Sequence, residues 1–158
     1  AVTGGAGADP GWRLPLDGPA PVVRSFAPPP LPWLPGHRGV DLGAVAGRPV
    51  RAAGVGVVTF ARELAGRGVV VVRHPGGLRT TYLPVRPAVR PGQAVRAGDV
   101  LGTLEDRPGH CPTACLHWGL RQGAVYLDPL LLVGAGPVRL LPLWPEPGGD
   151  QALGWAWR

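Results

Sequence analysis

The sequence predicts a single all-β domain, an antiparallel sandwich or barrel-like fold with irregular proline-rich segments toward both ends. Three observations predict it. Glycine and proline, 26 and 21 of 158 residues, punctuate the chain throughout. Hydrophobic residues nevertheless make up 45% of it and fall in short Val-rich runs of strand length. Runs and turn residues alternate roughly every 8–12 residues, the spacing of sandwiches and barrels. A chain of this length can bury a substantial core, and no run reaches the roughly 18 apolar residues of a membrane span.

Taken in order, residues 1–11 are Gly/Ala-rich and read as a flexible end. Residues 12–16 lead into the domain, and Val22 with Val23 forms the first strand. Five prolines between Pro28 and Pro35 rule out helix or central strand, because proline fixes φ and removes a donor. This irregular segment delivers the chain to His37. Strands follow at 40–42, 49–53 and 55–62, then a turn at Gly66, Arg67 and Gly68, a strand at 69–73, a turn at 75–77 and a strand at 78–83. Residues 89–102 hold two glycine turns around a short strand, a hammerhead shape that also occurs in biotinyl and lipoyl carriers. A strand at 116–121, a closing segment at 125–129 and a packed apolar run at 130–133 complete the domain, set at residues 12–133. Residues 134–158 are a Pro/Gly/Trp-rich tail whose tryptophans read as cover for the outside of the fold.

Charge and cysteine content narrow the function. The formal net charge is +6, and all 16 basic residues are arginine. Without lysine there is no Schiff-base chemistry and no biotinyl or lipoyl attachment, so only the hammerhead's shape survives. The arginines are scattered singly, which reads as a mildly basic surface and not as a nucleic-acid patch; no nucleic-acid partner is expected. Cys111 and Cys115, the two cysteines, are compatible with a small disulfide loop, a metal pair or two free thiols.

The residues that carry chemistry fall in two stretches. His37 and Asp41 offer an imidazole and a carboxylate four residues apart. His117 adds a second imidazole on a strand, with Cys115 two residues back on the same face. Two histidines and one carboxylate with an open fourth position are a catalytic zinc donor set, which acidifies water and polarises a carbonyl. His110, in the loop before them, is a candidate substitute donor, and His74, beside a turn, reads as structural.

The motifs Gly36-His37-Arg38-Gly39-Val40-Asp41, Gly68 to His74, Thr81-Tyr82, the spaced Gly92, Gly98 and Gly102, and Leu116-His117-Trp118-Gly119-Leu120 together resemble the lysostaphin-type (LytM-like) zinc metalloendopeptidases. The similarity runs in order over most of the chain. It implies a LytM domain of the duplicated hybrid motif type, Zn2+ held by His37, Asp41 and His117, and peptidoglycan or another cell-wall peptide as substrate. It also implies a bacterial, secreted or cell-envelope location with the leader removed. Members use two further histidines that are not ligands; here Pro84 and Cys115 stand at those positions. Cys115 as a thiol is a candidate acid or base there, whereas a Cys111–Cys115 disulfide is not. The expectation is therefore a zinc-binding, peptidoglycan-targeting metalloendopeptidase-type domain of weak or absent turnover. The alternative is a catalytically degenerate module that binds the cell wall or regulates a partner hydrolase.

Overall fold

A computed structural model describes residues 11–31, 33–106, 111 and 114–134. The flexible end assigned to residues 1–11 lies outside these but for Gly11, as do His110 and, apart from Gly134, the Trp-rich tail. The described residues form eleven strands and two short 3-10 helices, all strand pairing being antiparallel. The strands are β1 (Val22–Arg24), β2 (Gly39–Gly43), β3 (Pro49–Arg51), β4 (Gly56–Leu64), β5 (Arg67–Arg73), β6 (Leu78–Leu83), β7 (Val85–Pro87), β8 (Ala94–Val95), β9 (Val100–Leu104), β10 (Cys115–Gln122) and β11 (Val125–Leu127). The large sheet runs β1-β2-β10-β6-β5-β4-β8, with β11 also paired to β10, and a small sheet runs β3-β9-β7. The large sheet is open, not closed into a barrel.

Alternation decides which face is which. Along β10, Leu116, Trp118 and Leu120 are buried, while His117 and Arg121, at the alternate positions, are half-buried on the opposite face. Tyr82 on β6, Val70 and Val72 on β5, Val40 and Leu42 on β2 and Leu101 on β9 join the same core between the sheets. Each such side chain contributes about 1.5–3 kcal/mol of hydrophobic stabilisation when fully buried. The opposite face of the large sheet is left to a groove.

Two elements depart from the sequence expectation for steric reasons. The β4–β5 hairpin turns at Ala65 and Gly66, both at positive φ (54° and 84°), not at Gly66 to Gly68. A two-residue turn with positive φ at both positions matches the twist of the flanking strands. Gly68 is instead a strand residue without a side chain because the Val85 carbonyl lies where its Cβ would be. Pro84 also does not end the strand pattern. It lies between Leu83, paired in the large sheet, and Val85, paired in the small one, so the chain changes sheets there.

Candidate metal centre

Strand register builds the site. β2 and β10 pair so that His117 lies directly opposite Asp41, although 76 residues separate them. His37 precedes β2 and is fixed by a two-way backbone bridge with Ala27, so the polyproline segment closes a loop onto the site's edge. His37 Nε2 lies 3.1 Å from Asp41 Oδ1 and His117 Nδ1 lies 2.9 Å from the same oxygen. The two imidazole rings meet edge to face at 5.0 Å. His37 and Asp41 are buried, whereas the His117 side chain keeps 19% of its surface exposed. The cluster therefore opens on one side only.

The tautomer of His37 follows from its surroundings. Its Nδ1 lies 2.8 Å from the Ser25 carbonyl, which can only accept, so Nδ1–H donates. In the neutral ring Nε2 then presents a lone pair to the Asp41 carboxylate, an arrangement that repels unless a proton or a cation lies between. A histidine whose far nitrogen donates to a backbone carbonyl is the usual support of a metal ligand. Ligands about 2.0–2.2 Å from a tetrahedral zinc lie roughly 3.3 Å from one another. The observed 2.9 and 3.1 Å separations are close to this, and the ligand atoms of His37, Asp41 and His117 all fall within 4.8 Å of one another. The donor set, its spacing and its support all fit a zinc ion.

Room for the His117 ring comes from Gly39, which pairs with Gly119 and lies diagonally across from His117. A Cβ at Gly39 would stand 2.7 Å from His117 Nε2 and 2.5 Å from the Trp118 carbonyl oxygen. Neither Ser25 nor Gly39 was among the candidate site residues: Ser25 contributes through its backbone, and Gly39 through having no side chain. The flanking Gly-Val-Asp pattern was the only available signal for Gly39.

Cys111 and Cys115 form a disulfide beside Asp41. In this state Cys115 has no thiol proton, so its candidacy as an acid or base falls, and neither sulfur is a thiolate ligand. Pro84, at the other family histidine position, has no titratable group. His110 lies outside the described residues.

His74 is placed elsewhere, in a closed network. The Ala53 N–H donates to the Tyr82 hydroxyl (2.9 Å). Tyr82 donates to the Thr80 hydroxyl (2.7 Å), and Thr80 donates to His74 Nε2 (2.7 Å). His74 Nδ1–H ends the chain on the Val55 carbonyl (2.7 Å). Because the Val55 oxygen can only accept, every bond in the sequence takes one direction. Burial holds the His74 pKa below its ordinary value against the opposing effect of the Val55 carbonyl. Burial likewise pushes the Tyr82 pKa up to about 12, partly offset by its bonds to Thr80 and Ala53.

From His117 a groove of about 760 Å³ extends over the large sheet. Leu83, Val69, Val71 and Phe60 line one flank, and Thr81 and Gly119 form part of its floor. Among the described residues no helix is long and apolar enough to cross a membrane.

With this geometry in place, comparison with known proteins is consistent across sequence and structure. Residues 35–129 match peptidase family M23. The uncharacterized protein Rv2891 of Mycobacterium tuberculosis is 52% identical over 141 residues, covering 86% of this chain and 56% of that protein. The DD-carboxypeptidase/endopeptidase Mpg of Neisseria gonorrhoeae is 39% identical over 95 residues, covering 60% of this chain and 22% of Mpg. The chain thus spans about half or less of the length of these relatives. Among solved structures, the catalytic domain of the antimicrobial peptidase lysostaphin from Staphylococcus simulans superposes with a TM-score of 0.60 at 25% identity, covering 73% of this chain and 92% of that one. The chain belongs to peptidase family M23 and carries the lysostaphin-type, peptidoglycan-hydrolase-type domain of that family.

Proposed function

We propose that this domain is a zinc-dependent endopeptidase for cell-wall peptides, acting outside the cytoplasm, with His37, Asp41 and His117 as the metal ligands. The observation that carries the proposal is the convergence of two imidazole nitrogens on one buried carboxylate oxygen at the mouth of a groove. Zinc held there would supply Lewis-acid polarisation of a substrate carbonyl and greater acidity to water. The residues of the chain do the rest. Ser25 orients His37, the strand pair orients Asp41 and His117, and burial of Asp41 keeps competing water from its carboxylate. The apolar flank of the groove would hold an extended peptide against the sheet. Peptidase names among the relatives, Mpg and lysostaphin, support the same substrate class.

The disulfide at Cys115 and the proline at 84 favour slow turnover. A positioned acid or base contributes typically 10²–10⁴-fold, and neither position offers one. The same observation motivates a second reading, a module that engages the wall, or a partner hydrolase, without cutting.

Metal content measured beside a cell-wall digestion assay separates the readings. Stoichiometric zinc with chelator-sensitive fragment release, both lost in His117→Ala, is the expected result. Zinc with wall binding and no release would select the second reading. Digestion that persists in His117→Ala would exclude this site as its source.

A further inference from the structure

The strand register sets four side chains in one transverse row on the groove face. Tyr126 lies opposite Arg121, Arg121 opposite Arg79, and Arg79 opposite Arg73. Like charges directly opposite one another on antiparallel strands are destabilising. Arg79 and Arg121 are also half-buried, where salt screens them less than it does exposed charges. Arg73 lines a separate pocket beside His74, whereas Arg38 lies over the Tyr126 ring, its guanidinium carbon 5.6 Å from the centroid, and adds to Arg79 and Arg121 a third cation at this end of the groove. Arg38, Arg79, Arg121 and Tyr126 line the groove together with His117, and none of the described lining residues is acidic. Between His117 and Arg121, Gly119 puts no side chain in the path.

We propose that Arg79 and Arg121 form an anion subsite for a side-chain carboxylate of an extended acidic peptide lying along the groove toward His117. The proposal deepens the reading of this groove as a peptide site by naming the class of peptide. Two adjacent guanidinium forks suit one carboxylate, and its charge offsets their mutual repulsion. Four residues of β10 separate His117 from Arg121, roughly 13 Å at strand spacing. An extended peptide rises about 3.3–3.6 Å per residue, so the carboxylate falls about three to four residues from the group over His117. A polyanion would call for cations tracking the whole groove; here Arg38, Arg79 and Arg121 gather at one end, Arg67 stands apart at the other end of β5, and the flank between them is apolar.

The test is calorimetric titration, with and without zinc, of two acetylated and amidated Ala-rich hexapeptides identical except for Glu or Gln at the fifth position. The Glu peptide is expected to bind about tenfold more tightly, the scale of a hydrogen-bonded charge pair. The Arg79→Gln/Arg121→Gln double variant is expected to bring the preference within twofold, and Arg90→Gln, away from the groove, to leave it intact. Should the double variant fail to fold, either single Gln substitution lowers the preference to about threefold without changing the affinity for the Gln peptide. Equal affinities in the wild type, binding of neither peptide, or a preference that survives these substitutions would overturn the proposal. So would tighter binding of a single-stranded oligonucleotide than of the Glu peptide. A preference for Glu in protein that binds no zinc would retire the peptidase reading and leave the subsite standing.

Discussion

Two histidine clusters lie on the same sheet and differ in how their hydrogen bonds are directed. In the His74 cluster each donor finds an acceptor in turn, from the Ala53 N–H through Tyr82, Thr80 and His74 to the Val55 carbonyl. In the His37 cluster two imidazole nitrogens converge on a single carboxylate oxygen. The first arrangement is complete without a further atom; the second turns a His37 lone pair onto the carboxylate unless a proton or a cation lies between. Burial alone does not tell them apart, since His37 and His74 are both buried. Direction does.

The largest effect expected from breaking this contrast is on zinc. His117→Ala should lower zinc affinity by about 100-fold or more, as loss of a ligand must exceed the 10–100-fold cost of losing a supporting partner. Equilibrium dialysis measures it, and the stability of the metal-free protein should change by less than about 1 kcal/mol, because the ring is partly exposed. The reverse is expected of His74→Ala: zinc stoichiometry intact, but a loss of about 2–4 kcal/mol in urea unfolding, from the stranded Thr80 hydroxyl and Val55 carbonyl and the space left behind. Tyr82→Phe should cost about 1–2 kcal/mol, since it strands the Ala53 N–H but preserves the ring.

The smallest effect concerns pH. The His74 pKa is lowered in the folded state from 6.5, so the unfolded chain takes up this proton first as pH falls. Stability contributed by neutral His74 is present above pH 6.5 and is lost as pH drops from there toward the folded value. The slope for this one proton is at most about 1.4 kcal/mol per pH unit. Subtracting the urea-unfolding pH profile of His74→Gln from that of the wild type isolates it. An unchanged profile in the variant would show that His74 does not titrate differently on folding.

The strands were legible wherever hydrophobic alternation and turn residues agreed. The expected strand at 116–121 differs from β10 by one residue at each end. β7 was not legible, because Pro84 looks like a strand terminator and only the packing of two sheets makes it a crossing point. The turn at Ala65 and Gly66 was hidden for a related reason: Gly68 reads as a turn glycine, yet it is needed for the close approach of the Val85 carbonyl. At the site, the motifs flagged His37, Asp41 and His117, but alternation within each segment says nothing about the 76-residue pairing that joins them. Arg79 and Arg121 could be singled out in the sequence as candidate holders of an anionic peptide stem, but their adjacency in one row was not legible, since it comes only through register.

For the zinc proposed above, that register ties capture to the order of folding. Sliding β10 by one residue against β2 would turn His117 toward the core and Trp118 toward the groove, because successive residues face opposite sides. Indole burial and assembly of the ligand set are then one event, reported by Trp118 fluorescence and by zinc uptake with the same rate constant. A pairing between segments so distant along the chain forms late. A polypeptide growing from its N-terminus would hold His37 and Asp41 as an incomplete chelator until the last large strand arrives, and metal would enter only as the sheet closes over its core.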